Sequence, residues 1–149
     1  MTGATSGQRL SAGCLCGAVR FTAAPREQDV GACHCSMCRR WTAGPFLGMQ
    51  CGGTVRFEDT ASLGIYRSSE WAERGFCKKC GTPLFYRLVG KEFYEVSAGA
   101  FDDASGFKFT SQIFVDEKPP YYDFANKTKN MTGAEVFAEM QAAEARSKG

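Results

Sequence analysis

The chain has 149 residues, of which 44% are hydrophobic and 23% charged, a composition that favours one globular domain over a disordered chain. Its net charge of +2 gives no electrostatic reason to expect a nucleic acid or an anionic membrane as a partner. No run approaches the apolar length of a membrane-spanning helix, and residues 1–10 hold no apolar stretch of the signal-peptide type. We therefore expect a cytoplasmic protein that binds neither nucleic acid nor membranes.

The predicted elements are mostly short strands. Residues 1–10 are polar and rich in Gly, Ser and Thr, which predicts a flexible tail before a single domain over 11–149. Stretches rich in β-branched and aromatic residues, separated by Gly or Pro, predict strands at 18–22, 54–57, 63–67, 84–88, 93–98 and 112–115. A short helical turn is expected at 36–42.

The C-terminal segment carries a helix signal. Thr132 and Glu135 have the spacing of a capping box, and an apolar stripe follows at Val136, Phe137 and Met140. We expect this helix to pack on a sheet edge. The sequence therefore predicts a mainly β fold of short antiparallel sheets with a short C-terminal helix.

Cysteine is the unusual component of the sequence. Seven of the eight cysteines form three tight clusters, at 14 and 16, at 33, 35 and 38, and at 77 and 80, while Cys51 stands alone. Cysteines one or two residues apart bridge each other poorly but can share a metal. We therefore predict that the clusters bind Zn²⁺.

The clusters can be divided into two metal sites. Cys77 and Cys80, followed by Gly81, form a zinc-knuckle turn that offers two ligands, and either other cluster could complete it. The simplest division is a closed structural site and an open catalytic site, because an open position can take water or substrate. The closed site would use Cys14, Cys16, Cys77 and Cys80, and the open site Cys33, Cys35 and Cys38.

His34 and Cys51 leave an alternative open, since either could close the three-cysteine site as a fourth ligand. His34 lies between two cysteines on an extended chain, so its side chain is expected to point away from the metal. It would then support the ligands from outside, with metal ligation or general-base chemistry as the other roles. Cys51 is expected to be a buried apolar residue.

Several neighbours of the clusters have two interpretations. Arg39 and Arg40 could clamp a substrate carboxylate or brace the loop in solvent. Trp41 and Phe46 could wall a pocket or belong to the core. Lys78 and Lys79 are expected to face solvent.

The motifs together resemble the glutathione-dependent formaldehyde-activating enzyme family. The resemblance covers roughly residues 10–125 and is carried by four segments, at 13–21, 33–40, 74–84 and 113–122. It implies an antiparallel β-tent with two zinc sites, the catalytic one on Cys33, Cys35 and Cys38. It also implies a carbon–sulfur lyase that adds a thiol such as glutathione to a small aldehyde, as S-(hydroxymethyl)glutathione synthase does.

On this reading the substrate thiol would enter the open zinc position and lose its proton, since a coordinating thiol is deprotonated. The thiolate would then attack the aldehyde carbon. The alternatives are a non-catalytic zinc-scaffold binding module and a thiol redox or metal-handling protein, whose cysteines would release zinc on oxidation. The sequence leaves a homo-oligomer open.

Overall fold

A computed structural model of the chain describes residues 7–148. These residues form eleven β-strands and two α-helices, so the prediction of a mainly β fold with a C-terminal helix is confirmed. The strands are β1 (Leu10–Gly13), β2 (Arg20–Ala23), β3 (Asp29–Cys33), β4 (Phe46–Gly52), β5 (Arg56–Phe57), β6 (Leu63–Arg67), β7 (Ala72–Cys77), β8 (Pro83–Leu88), β9 (Tyr94–Ser97), β10 (Lys108–Ile113) and β11 (Lys129–Met131). The helices are α1 (Ser36–Thr42) and α2 (Gly133–Lys148).

The predicted elements agree with these bounds in part. β2 and β5 begin two residues later than predicted, β10 begins four residues earlier, and β1, β3, β4, β7 and β11 were not predicted. β6 and α1 coincide with their predictions, and β8 and β9 differ from theirs by a residue at one or both ends. β10 ends at Ile113, earlier than predicted, because Phe114 has a left-handed φ of 56° that breaks the extended chain. Of the predicted tail, residues 1–6 lie outside the described residues, and the Gly7 amide donates to the Pro25 carbonyl at 3.0 Å.

The chain divides into two compact units, the first of which comprises residues 7–30 and 47–108. It holds an antiparallel sheet in the order β1-β2-β5 and an antiparallel run in the order β4-β9-β8-β7-β6. Its buried side chains include Phe21, Met49, Leu84, Phe85 and Val96, all less than 2% exposed. These side chains form the apolar core that supports the turns at the ends of the strands.

Strand β7 depends on a glycine at its centre. Gly75 lies opposite Phe85 of β8, and a Cβ at Gly75 would stand 2.2 Å from the Phe85 ring. The fully buried ring therefore occupies the space that a side chain on β7 would need. This close approach places Phe85 between the rings of Phe57 and Tyr94, at centroid distances of 5.8 and 4.9 Å.

The second compact unit comprises residues 31–46 and 109–148. Here β10 pairs with β11 in parallel, an exception within the mainly antiparallel fold that the sequence predicts. The capping box forms as predicted, with the Thr132 amide donating to Glu135 Oε1 at 2.9 Å and the Glu135 amide to Thr132 Oγ1 at 3.2 Å. Helix α2 thus begins where the sequence indicates.

The apolar stripe of α2 is only partly covered. Phe137 and Met140 are 49% and 48% exposed, and the Phe137 ring packs edge-on against Phe114, the residue that follows β10. The packing of this stripe on a sheet edge therefore stays a prediction. Neither α-helix within residues 7–148 has the length and apolar character needed to cross a membrane.

Candidate metal centres

The first candidate centre is a group of four cysteines in the first unit. Two turns bring them together, one between β1 and β2 and the other between β7 and β8. The sulfur atoms of Cys14, Cys16, Cys77 and Cys80 all lie within 4.8 Å of one another. This is the four-cysteine set that the sequence predicts.

The sulfur spacing fits a tetrahedral zinc ion. Zn–S bonds of about 2.3 Å at tetrahedral angles place neighbouring sulfurs about 3.8 Å apart. The Cys16 sulfur lies 3.7 Å from that of Cys14 and 3.8 Å from that of Cys77. The residues present therefore fit a closed four-thiolate zinc site.

Backbone amides surround these sulfurs. Val19 donates to Cys14 Sγ at 3.3 Å, while Lys79 and Cys80 donate to Cys77 Sγ at 3.3 and 3.4 Å. N–H groups directed at sulfur stabilise the thiolate form that a metal requires. Each turn closes on a glycine with positive φ, Gly17 at 80° and Gly81 at 81°, so the permissive backbone expected at Gly81 is observed.

Thr82 supports the same centre, although sequence reasoning missed it. Its hydroxyl accepts the Leu15 amide at 3.0 Å and lies 3.1 Å from Cys80 Sγ. With the Leu15 amide occupying a lone pair, the hydroxyl proton is available to the sulfur. Hydrogen bonding to Thr82 lowers the pKa of the Cys80 thiol to about 5. In the sequence, the only indication of this role is the position of Thr82 directly after Gly81, at the end of the zinc-knuckle turn.

The second candidate centre is a group of three cysteines in the second unit. Cys33 ends β3, Cys35 is the N-cap residue of α1, and Cys38 lies in the first turn of that helix. Their sulfur atoms lie within 4.8 Å of one another. The Cys35 sulfur accepts the Cys38 amide at 3.4 Å, which ties the ligand loop to the helix start.

The three thiols of this group interact with one another. Hydrogen bonds from the Cys33 and Cys38 side chains lower the pKa of the Cys35 thiol, and the contact with Cys35 is the main cause that raises the pKa of Cys33. Cys33 and Cys35 are partly exposed whereas Cys38 is buried. Three converging thiols with partial access to solvent fit a thiophilic metal with one position left for a ligand.

His34 lies apart from the sulfurs, as its alternation with the cysteines predicts. It is fully buried, with Nδ1 2.8 Å from the Tyr122 hydroxyl and Nε2 2.7 Å from Gln112 Oε1. Both ring nitrogens thus make hydrogen bonds to protein side chains. His34 is therefore not placed to act as the fourth ligand of the three-cysteine group. Among residues 7–148, the group of converging sulfurs includes neither His34 nor Cys51.

Cys51 is a fully buried residue of β4, and burial, followed by the charge of Glu95, raises the pKa of its thiol to about 12. This agrees with the apolar role expected for it. Lys78 and Lys79 are exposed, also as expected.

The two arginines after Cys38 differ in environment. Arg39 is partly buried, and its Nε donates to the His34 carbonyl at 2.8 Å, whereas Arg40 is exposed. Arg39 therefore braces the loop, one of the two roles predicted for it. Trp41 and Phe46 pack together with ring centroids 5.3 Å apart, and Phe46 is 4% exposed, which places it in the core.

The fold and the two centres define the class of protein: a mainly β protein with two groups of cysteines whose sulfur atoms are close enough to share a metal ion. Residues 9–117 match the family model described as glutathione-dependent formaldehyde-activating enzyme, and the chain belongs to that family. It is 40% identical over 124 residues to an uncharacterised lyase of Schizosaccharomyces pombe, a match that covers 83% of this chain and 90% of the relative. A crystal structure of a Rhodobacter sphaeroides protein has a similar fold, with a TM-score of 0.55 at 23% identity, over 62% of this chain and 88% of the other.

Proposed function

We propose that this protein is a zinc-dependent lyase that joins a thiol such as glutathione to a small aldehyde such as formaldehyde. The observation that carries the proposal is the convergence of the Cys33, Cys35 and Cys38 sulfurs within 4.8 Å. Three thiolates leave one position of a tetrahedral site for a substrate. The family's description and the lyase name of the fission-yeast relative support the same reaction class.

In this reaction a carbon–sulfur bond forms between the thiol sulfur and the carbonyl carbon, and the thiol proton ends on the former carbonyl oxygen. Zinc held by the three cysteines would supply the thiolate, because coordination lowers the pKa of a bound thiol. The chain itself would hold and orient the thiol substrate. The four-cysteine centre would hold a second zinc with a structural role.

Arg39 and Arg40 are proposed to bind the carboxylates of the thiol substrate. Arg39 uses Nε for the His34 carbonyl, and its Nη atoms make no hydrogen bond to the described residues. A guanidinium held at one edge can still offer its other edge to a carboxylate. Arg40 is exposed and presents a second positive charge beside the cluster. Both charges match the anionic character of glutathione.

Isothermal calorimetry of glutathione binding in buffers of different ionisation enthalpy tests the proposal. A thiol that binds as the thiolate at neutral pH should release about one proton, so the measured heat should change with the buffer. S-methylglutathione is the matched control, since it keeps the carboxylates but has no thiol proton to release. Glutathione heats that do not depend on the buffer, or no binding at all, would contradict the proposed reaction.

A further inference from the structure

The side chain of His34 stands out because every polar atom of the residue has a partner. Its amide donates to the Ile113 carbonyl at 3.1 Å, and its carbonyl accepts from Arg39 Nε at 2.8 Å. Its ring nitrogens lie 2.8 Å from the Tyr122 hydroxyl and 2.7 Å from Gln112 Oε1. A fully buried histidine held at four points has one orientation.

The hydrogen-bond chain that includes His34 runs in one direction. The Thr128 hydroxyl donates its only proton to Asn130 Oδ1 at 2.6 Å. The Thr128 oxygen therefore acts as the acceptor toward Gln112 Nε2, which lies 2.9 Å away. The amide oxygen of Gln112 then faces His34 and requires a proton on Nε2. Nδ1 then faces the hydroxyl of Tyr122 at 2.8 Å. The hydrogen-bond chain therefore places a proton on Nε2 of the ring.

The orientation of His34 also decides where its neighbours point. Consecutive side chains on extended backbone alternate in direction, and Cys33 ends a strand while Cys35 has the extended angles φ −64° and ψ 157°. Anchoring His34 on one side therefore turns both flanking sulfurs to the other side. Cys38, in the first turn of the following helix, meets them there.

We propose that His34 is the positioning residue of the three-cysteine site. Held by the hydrogen bonds of its ring and its backbone, it turns the sulfur atoms of Cys33 and Cys35 to one side, toward Cys38. It acts through the ligands and does not touch the substrate. The inference rests on the proposed function, because the site it positions is the proposed zinc site.

The first test uses the fact that His34 is the only histidine of the chain. In untagged, zinc-loaded protein labelled with ¹⁵N-histidine, long-range ¹H–¹⁵N correlation spectra at neutral pH report the tautomer of this one ring. We expect a proton on Nε2, because Gln112 Oε1 can only accept. A ring whose Nε2 carries no proton would overturn the inference, and this measurement needs no variant to fold.

The same spectra test the contact with Tyr122. Tyr122→Phe removes the hydroxyl and should shift the Nδ1 resonance while leaving Nε2 protonated. Tyr121→Phe is the matched control, because the neighbouring Tyr121 is 75% exposed and its hydroxyl makes no hydrogen bond to the described residues. An Nδ1 resonance that is unchanged in Tyr122→Phe would contradict the assignment.

The second test measures zinc affinity by competition with a chelator. His34→Asn keeps a polar group near the Nδ1 position and His34→Gln keeps one near Nε2, so each variant retains about half of the anchoring. Loss of a residue that orients metal ligands typically weakens binding by about 10–100-fold. We expect each variant to weaken the second zinc about tenfold or more and to keep the four-cysteine zinc. Wild-type affinity for both metals in both variants would overturn the inference.

Metal analysis of the wild type separates the two hypotheses. A wild-type protein that holds only one zinc would contradict the proposed function and this inference together. A wild type that holds two zinc ions and releases a proton on binding glutathione, but has the Nδ1–H tautomer, would contradict the inference alone.

Discussion

The hydroxyl oxygen of Thr82 lies 3.1 Å from the sulfur of Cys80. The same oxygen accepts the amide of Leu15 at 3.0 Å, so one side chain joins the two turns that carry the four-cysteine centre. These turns are 67 residues apart in sequence, measured from Leu15 to Thr82. A small polar residue outside the ligand set therefore helps to hold the two halves of the centre together.

Replacing Thr82 with Val should weaken this centre. The variant keeps the size of the side chain but loses the hydrogen bonds to Leu15 and Cys80, at a cost of about 1 kcal/mol for a typical bond. We also expect zinc to leave the four-cysteine centre at a lower chelator concentration than in the wild type, because the Cys80 thiolate loses its donor. Urea unfolding and chelator titration measure the two effects.

Thr82→Ser is the matched control for that variant, since it keeps the hydroxyl and removes only a methyl group. Its chelator titration should follow that of the wild type. If Val and Ser lower zinc retention equally, the methyl group rather than the hydroxyl is important, and the role assigned to the oxygen is wrong.

Cys80→Ser should abolish folding of the chain. The Cys16 and Cys77 sulfurs, 61 residues apart in sequence, meet in the same centre, and a structural zinc contributes folding energy directly. We expect insoluble or metal-free protein without a cooperative thermal transition, as measured by circular dichroism. A soluble variant that melts cooperatively with unchanged stability would reject the structural role of this centre.

Cys35→Ser should instead preserve the fold and abolish activity. Cys33, Cys35 and Cys38 lie within six residues, and closing a short loop constrains the unfolded chain less than closing a long one. The variant should fall from about two zinc ions per chain to about one and lose glutathione binding. Metal analysis, circular dichroism and a turnover assay on one preparation measure this. Unfolding as severe as that of Cys80→Ser would make the second centre structural.

Glu95→Gln should stabilise the protein at neutral pH. Burial raises the pKa of the Glu95 carboxyl above its ordinary value of 4.5, so the folded state holds the proton to higher pH than the unfolded state. The contribution of the Glu95 carboxyl to the free energy of unfolding is fully present below pH 4.5, and it is lost as the pH rises through the pKa of the folded state. A Gln side chain does not titrate, so its contribution does not fall with pH.

Urea unfolding at several pH values measures the effect of Glu95→Gln. The variant should be more stable than the wild type at pH 7 to 8, and the difference should shrink toward pH 4. Glu92→Gln is the matched control, since Glu92 is exposed on the loop that precedes the same strand. The quantity to compare is the stability of Glu95→Gln minus that of the wild type at each pH. If this difference is smaller at pH 8 than at pH 4, burial does not penalise the charge of Glu95.

The features that were predictable depend on residues close together in sequence. The capping box of Thr132 and Glu135 needs only a three-residue spacing, and it forms as predicted. The bounds of β6 follow from local apolar and aromatic content. By contrast, β7 was missed because Glu73 and Gly75 have low strand preference. Pairing with β6 and β8 on its two sides makes this segment a strand.

The sequence by itself predicted the chemistry of the candidate centres, because thiolates spaced one or two residues apart favour a shared metal over a disulfide. The division into four and three cysteines was the simplest one that the spacing allowed, and no local pattern could test it. The tertiary structure decided that Cys14 and Cys16 meet Cys77 and Cys80, since only the folded sheets bring the two turns together. It also decided the partners of His34, which lie 78 and 88 residues away at Gln112 and Tyr122. Contacts over such distances depend on how the strands pack, and no local pattern of residues encodes them.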